Sequence, residues 1–155
     1  MRIVLQRVSR AEVAIAEQTV ASIGPGLVLL VGFGPQDGSA QIEYWARRVP
    51  EFRLFADAAG KMNLSVMESR GSLLAVPNFT LCAEVNRGRR PGFSGAAAPE
   101  RAAALFEEFV TALRRRGVSV EAGRFGEHME ISLVNDGPVT LILDDADVKA
   151  VGSLQ

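Results

Sequence analysis

The chain has 155 residues, 48% of them apolar and 23% charged, the proportions expected of one soluble globular domain with a sizeable core. Its net charge of −1 excludes a global positive field for nucleic acid, although every basic residue except Lys61 and Lys149 is an arginine. No apolar run reaches the roughly 18 residues of a membrane helix, and the charged, alternating N-terminus does not read as a signal peptide, so a cytoplasmic location is expected.

Residues 2–8 alternate Ile3 and Leu5 against Arg2 and Gln6, which predicts a strand, and 11–16 alternate again through Val13 and Ile15. After Gly24-Pro25-Gly26, the unbroken apolar run 27–33 predicts a strand buried on both faces. Residues 34–38 form a loop with Ser39 as N-cap, and Ile42, Trp45, Ala46 and Val49 recur at helical spacing up to Pro50. A strand at 52–56 and a turn at 57–60 follow. The next strand, 73–76, is interrupted by Pro77-Asn78, after which Phe79-Thr80-Leu81-Cys82 reads as strand again. Residues 85–99 have no usable periodicity, and a structureless loop of that length points to function or disorder. Pro99-Glu100 opens a helix through Leu105, Phe106, Phe109, Val110 and Leu113, stopped by Gly117. Strands at 118–121 and 129–134 lead to the turn Asn135-Asp136-Gly137-Pro138 and a last strand at 139–143. The expected class is α/β: a single strand-rich domain over 1–155, mostly antiparallel, with two main helices and a poorly ordered tail at 146–155.

One cysteine, Cys82, and one histidine, His128, exclude an internal disulfide and any zinc site built on cysteines or on several histidines. They also make a Cys–His nucleophile pair the first candidate to weigh. Cys82 falls in an apolar stretch where an inert thiol is the ordinary outcome, and His128 beside Glu127 in a polar loop reads as solvated. Gly24-Pro25-Gly26 and Gly32-Phe33-Gly34 lack the full dinucleotide pattern, so neither metal nor cofactor is expected. What remains is backbone chemistry. Amide groups at Phe79 and Thr80, just past a proline, could leave the strand ladder and form an oxyanion hole; the plain alternative is a packed strand threonine.

Several blocks, in order, resemble the D-aminoacyl-tRNA deacylase family: 2–11, Gly24-Pro25-Gly26-Leu27, Gly60-Lys61-Met62-Asn63-Leu64-Ser65, Arg87-Gly88-Arg89-Arg90-Pro91-Gly92-Phe93-Ser94-Gly95, Gly123-Arg124-Phe125-Gly126 with Met129, and Asn135-Asp136-Gly137-Pro138-Val139-Thr140. The resemblance implies a homodimeric, metal-free ester hydrolase that removes D-amino acids, and glycine, from tRNA. It implies that Phe79 and Thr80 line the catalytic pocket as backbone donors while the RNA's 2′-OH supplies the chemistry. It implies that Gly137-Pro138, held by Arg7, enters the partner subunit's pocket and screens chirality, and that Phe125 and Met129 lie near the terminal adenosine. Arg87, Arg89 and Arg90 are expected to bind the acceptor end of aminoacyl-tRNA. The family's usual Ser-Gln is here Pro77-Asn78, in the substrate-binding wall. Proline removes an N–H, and asparagine is one methylene shorter than glutamine. Two alternatives follow: an editing enzyme of relaxed chirality acting on small L-aminoacyl esters, and an inactive tRNA-binding relative.

Overall fold

The computed structural model describes residues 1–86 and 88–145. Arg87 and the expected tail at 146–155 lie outside the described residues.

The fold is organised by one long strand, β1 (Arg2–Ile15). Its first half pairs antiparallel with β3 (Gly26–Gly32), its second half with β2 (Gln18–Ile23). The two alternating stretches predicted separately are therefore one strand. Ile3 and Leu5 face one core, Val8, Ala11 and Val13 the other, because register shifts along β1 re-aim its side chains. Beyond β3 the sheet turns parallel, through β6 (Ser72–Pro77) to β7 (Ser119–Ala122). The remaining pair, β4 (Phe55–Ala56) and β5 (Met62–Leu64), forms a small antiparallel ribbon. Four of the strand pairings are antiparallel and two parallel.

Two helices cover one face. In α1 (Ser39–Glu51) Gly38 occupies the N-cap and Ser39 is the first helical residue, one position later than expected for a serine cap. The Gln41 side chain takes the Gly38 N–H at 3.1 Å instead. Helix α2 (Pro99–Arg115) starts on its proline and ends before Gly117, whose φ of +83° is the left-handed value that favours glycine. Ile42, Trp45 and Val49 of α1 and Phe106, Phe109 and Leu113 of α2 bury against Ile3, Leu5, Leu27, Leu29 and Leu73. Truncating Phe106 or Phe109 to alanine would cost about 3–5 kcal/mol. The opposite face carries a second cluster of Val8, Val13, Val28, Leu74 and Val76, with Met129 packed on it.

The end of the chain differs from the two strands, 129–134 and 139–143, expected on either side of a turn at 135–138. β8 (Glu130–Asp144) is one strand whose two halves both pair with β1: Val8 lies opposite Asn135, Gln6 opposite Thr140. The chain does not reverse. The intervening residues bulge out of the ladder opposite Arg7, and the Gly137-Pro138 bond within the bulge is cis.

Candidate active site

A cleft of about 620 Å³ opens where the C-terminal end of β6 meets the start of α2 and the loop after β7. Pro77, Asn78 and Phe79 form one wall, Phe125, Gly126, Glu127 and Met129 a second, and Phe93 with 96–99 a third. Five expected residues (Pro77, Asn78, Phe79, Phe125 and Met129) thus share one cavity. Phe93 and the Ala96-Ala97-Ala98-Pro99 segment were not singled out from the sequence. The signal present was the glycine- and alanine-rich loop itself, whose small side chains leave room for a cavity. Phe79 and Phe93, 52% and 40% exposed, meet edge to face at 5.0 Å beside the opening.

Phe79–Cys82 is a 3₁₀ turn rather than the expected strand, so Thr80 and Cys82 do not share a strand face. The Asn78 N–H makes the last sheet-like bond, to the Val31 carbonyl at 2.7 Å. The chain then coils, Leu81 N–H reaching the Asn78 carbonyl at 3.3 Å, and the Arg2 guanidinium fastens the Leu81 carbonyl at 2.8 Å. The coil lies directly on β3: a Cβ added to Gly32 would stand 2.9 Å from the Asn78 carbonyl oxygen, so only glycine fits. As in any helical first turn, the amides of Phe79 and Thr80 have no acceptor inside the coil. The Thr80 hydroxyl donates to the Asn78 side-chain oxygen. Thr80 itself is not among the lining residues.

Met129 is seated by its neighbours. The Arg124 N–H approaches its sulfur at 3.4 Å, and a Cβ on Gly123 would come within 2.8 Å of that sulfur. Arg7, Gly137 and Pro138 do not line this chain's cleft. Arg7 instead grips the β8 bulge: its guanidinium donates to the Asp136 carbonyl at 3.1 Å and to the Leu54 carbonyl, and pairs with the Asp136 carboxylate at 3.3 Å. Asn135 ties the bulge from within, donating to the Arg7 and Val139 carbonyls at 3.1 and 2.9 Å. Arg89 and Arg90 are exposed in the loop closed by the Glu84–Gly92 bridge, without an ion pair among the described residues. The other arginine run, 114–116, caps α2 and is committed to Glu43 and the Val120 carbonyl.

Burial pushes the half-buried Cys82 thiol above its ordinary range, and Cys82 lies outside the cleft. No three His, Cys, Asp or Glu side chains converge as metal ligands among the described residues, and no helix there is long and apolar enough to cross a membrane.

A family model described as D-Tyr-tRNA(Tyr) deacylase matches residues 4–144. Relatives named D-aminoacyl-tRNA deacylase include one from Desulforudis audaxviator, 54% identical over 93% of this chain and 97% of its own. Another, from Thermomicrobium roseum, is 50% identical over 99% of both chains. Among solved structures, one titled c-Myc DNA Unwinding Element Binding Protein superposes with a TM-score of 0.87 at 34% identity, covering 93% of this chain and 98% of that one. One titled as a probable eukaryotic D-amino acid tRNA deacylase gives 0.81 at 18% identity, covering 92% and 97%, a likeness of fold. With a matching model over nearly its whole length and close relatives of the same span, the chain belongs to the D-Tyr-tRNA(Tyr) deacylase family of hydrolases.

Proposed function

We propose that the chain hydrolyses the ester bond of D-aminoacyl-tRNA, and of glycine mischarged on alanine tRNA, with the acceptor end entering the cleft. The observation that carries this is the coil at the cleft wall. The amides of Phe79, in the cleft wall, and of Thr80, next to it, have no acceptor inside the coil, while the Thr80 hydroxyl is engaged by Asn78 and no Cys–His pair lines the cavity. A developing ester oxyanion held by two such amides needs no titratable side chain, and one donor of this kind is worth about 10²–10³ in rate. The substrate's 2′-OH then serves as the activating group. Phe125 and Met129 suit the terminal base, which stacks on apolar faces.

The chirality screen requires a homodimer. β8 supports that reading: among the described strands it pairs only with β1, and Ile131, Val134 and Ile142 stand 37%, 40% and 69% exposed along it. The bulge gripped by Arg7 would enter the partner's cleft and present its carbonyls where an L side chain has no donor to offer. Unpaired carbonyls cost roughly 1–3 kcal/mol each, tenfold or more in preference. Arg89 and Arg90 would hold acceptor phosphates.

Pro77 favours a second reading. It ends β6 inside the cleft wall, close to Gly123, at the place where the resemblance puts the family's Ser-Gln. Relaxed acceptance of a small L side chain follows from such a wall. A deacylation panel of D-Tyr, Gly, L-Ala and L-Thr esters on tRNA separates the readings. D-Tyr and Gly cleaved with L-Ala and L-Thr spared supports the screen; L-Ala or L-Thr cleaved at the D-Tyr rate supports the relaxed enzyme; tRNA binding without turnover supports the inactive relative.

A further inference from the structure

The bulge that carries Gly137-Pro138 stands outside the β1–β8 ladder, so its direction is set by what holds it from the side. The Arg7 guanidinium does this through three acceptors. Two of them, the carbonyl and the carboxylate of Asp136, belong to the bulge and travel with it. The third, the Leu54 carbonyl, is the only one outside it among the described residues. A guanidinium is a rigid planar fork, so the place of that carbonyl decides where the fork, and the bulge on its other edge, can point. Gly137 lies against the same fork, a Cβ built on it standing 3.2 Å from the Arg7 guanidinium, so a shift of Arg7 is passed on directly.

Leu54 lies in the connector between α1 and β4, away from the large sheet. The β4–β5 ribbon beside it is a separate two-stranded sheet. Packing on the core holds the Leu54 side chain, but a peptide plane still pivots unless its neighbours are tied. Arg53 ties it. Its Nε donates to the Asn63 carbonyl at 2.7 Å and its Nη2 to the Asn63 side-chain oxygen, a two-pronged grip from the connector onto β5. The Asn63 amide donates in turn to Asp57, whose carboxylate also takes the Ala59 and Lys61 N–H groups at 2.8 and 3.0 Å. Arg53 is exposed, and water competes for a grip of this kind, so it adds little to stability and leaves direction as its effect.

We propose that Arg53 is a positioning residue for stereochemical selection: by gripping Asn63 it aims the Leu54 carbonyl and, through Arg7, the screening bulge. This rests on the reading of that bulge as the chirality screen. Without the grip the bulge carbonyls drift from the place an L side chain would occupy. L esters then gain access, while D esters, which do not meet those carbonyls, are cleaved as before.

The test is the ratio of D-Tyr-tRNA to L-Tyr-tRNA deacylation rates, measured on one preparation of each full-length variant so that the folded fraction cancels. Arg53→Ala is expected to lower the ratio about fivefold, part of the roughly tenfold that one unpaired carbonyl supplies, through faster L-Tyr cleavage at a D-Tyr rate held within about twofold. Asn63→Ala should lower it less, since the Asn63 carbonyl remains. Adding Asn63→Ala to Arg53→Ala should lower it no further, because the two act as one unit. Arg53→Lys keeps the charge but loses the fork, and is expected to follow alanine. An unchanged ratio in Arg53→Ala, an equal fall in both rates (an arginine that merely holds RNA), or full selectivity in Arg53→Lys would each overturn the proposal. Arg7→Ala is the control. Selectivity lost there and kept in Arg53→Ala defeats the proposal alone. Selectivity kept in both, or equal rates on the two hands by the unaltered protein, defeats the reading of the bulge and the proposal with it.

Discussion

Thr80, Cys82 and His128 are the three side chains on which a nucleophile hypothesis would be built, and none is placed for it. The Thr80 hydroxyl is held by Asn78, and neither Cys82 nor His128 lines the cleft. Alanine at Cys82 or His128 is expected to leave the deacylation rate within about threefold, and Thr80→Ala to retain measurable turnover because its N–H remains. Complete loss in any of the three would restore a side-chain mechanism. Cys82 also has a chemical signature. Desolvation raises its pKa, so at pH 8 less of it is thiolate than of an ordinary cysteine, and alkylation by iodoacetamide should run slower than that of a free cysteine and accelerate as the pH rises past the usual thiol range. Gly137 makes the opposite kind of claim. Its φ is +141°, and a Cβ there would lie 2.8 Å from the Val139 amide nitrogen and 3.2 Å from the Arg7 guanidinium. Gly137→Ala should cost about 1–3 kcal/mol in stability by denaturant titration. It should also lower the D/L rate ratio, since the bulge must shift off Arg7.

At the scale of elements, the strands and helices with strong periodicity were readable, and two segments without it were not. Ile3 and Leu5 alternate, 27–32 are continuously apolar, and Leu105 to Leu113 recur every three or four residues, so burial alone dictates those elements. Phe79-Thr80-Leu81-Cys82 has strand composition but forms a 3₁₀ turn. What decides it is tertiary: Gly32 lets the coil sit on β3, and Arg2, far away in sequence, takes the Leu81 carbonyl. The Asn-Asp-Gly-Pro signal correctly marked a departure from the ladder but not its shape, because both flanks find the same partner, β1. Within the cleft, the residues in recognisable blocks were legible. The alanine segment was not, because small residues in a loop carry no chemistry until the fold places them, and Phe93, although inside such a block, carried no assigned role. The coil itself can be tested. Phe79→Ala keeps the N–H and removes the ring, whereas Phe79→Pro removes the N–H at a first-turn position that tolerates proline, after an Asn78 outside the helical region (φ −145°, ψ 87°). The proline variant is expected to deacylate about 10²–10³ more slowly than the alanine variant, measured as single-turnover rates. Equal rates would remove the Phe79 amide from the mechanism.

For the whole molecule, charge and assembly determine what the cleft can meet. With a net charge of −1, attraction to RNA has to be local, and the proposal gives it to Arg89 and Arg90, exposed four and three residues before Phe93 of the cleft wall. Replacing both with alanine should weaken binding of uncharged tRNA and reduce the slope of log K against log salt by about 2 units; an unchanged slope would assign them elsewhere. Assembly is tested by sedimentation, where the exposed apolar side chains along β8 predict a dimer of a 16.6 kDa chain at micromolar concentration. The central claim is that this cleft cleaves aminoacyl esters and sorts them by hand, using backbone groups. The most direct measurement is the initial rate of deacylation of D-Tyr-tRNA and L-Tyr-tRNA, side by side, at the same enzyme concentration. The account predicts turnover of D-Tyr-tRNA at substoichiometric enzyme with L-Tyr-tRNA cleaved at least tenfold more slowly. Equal rates on the two hands, or no turnover of either, would contradict it.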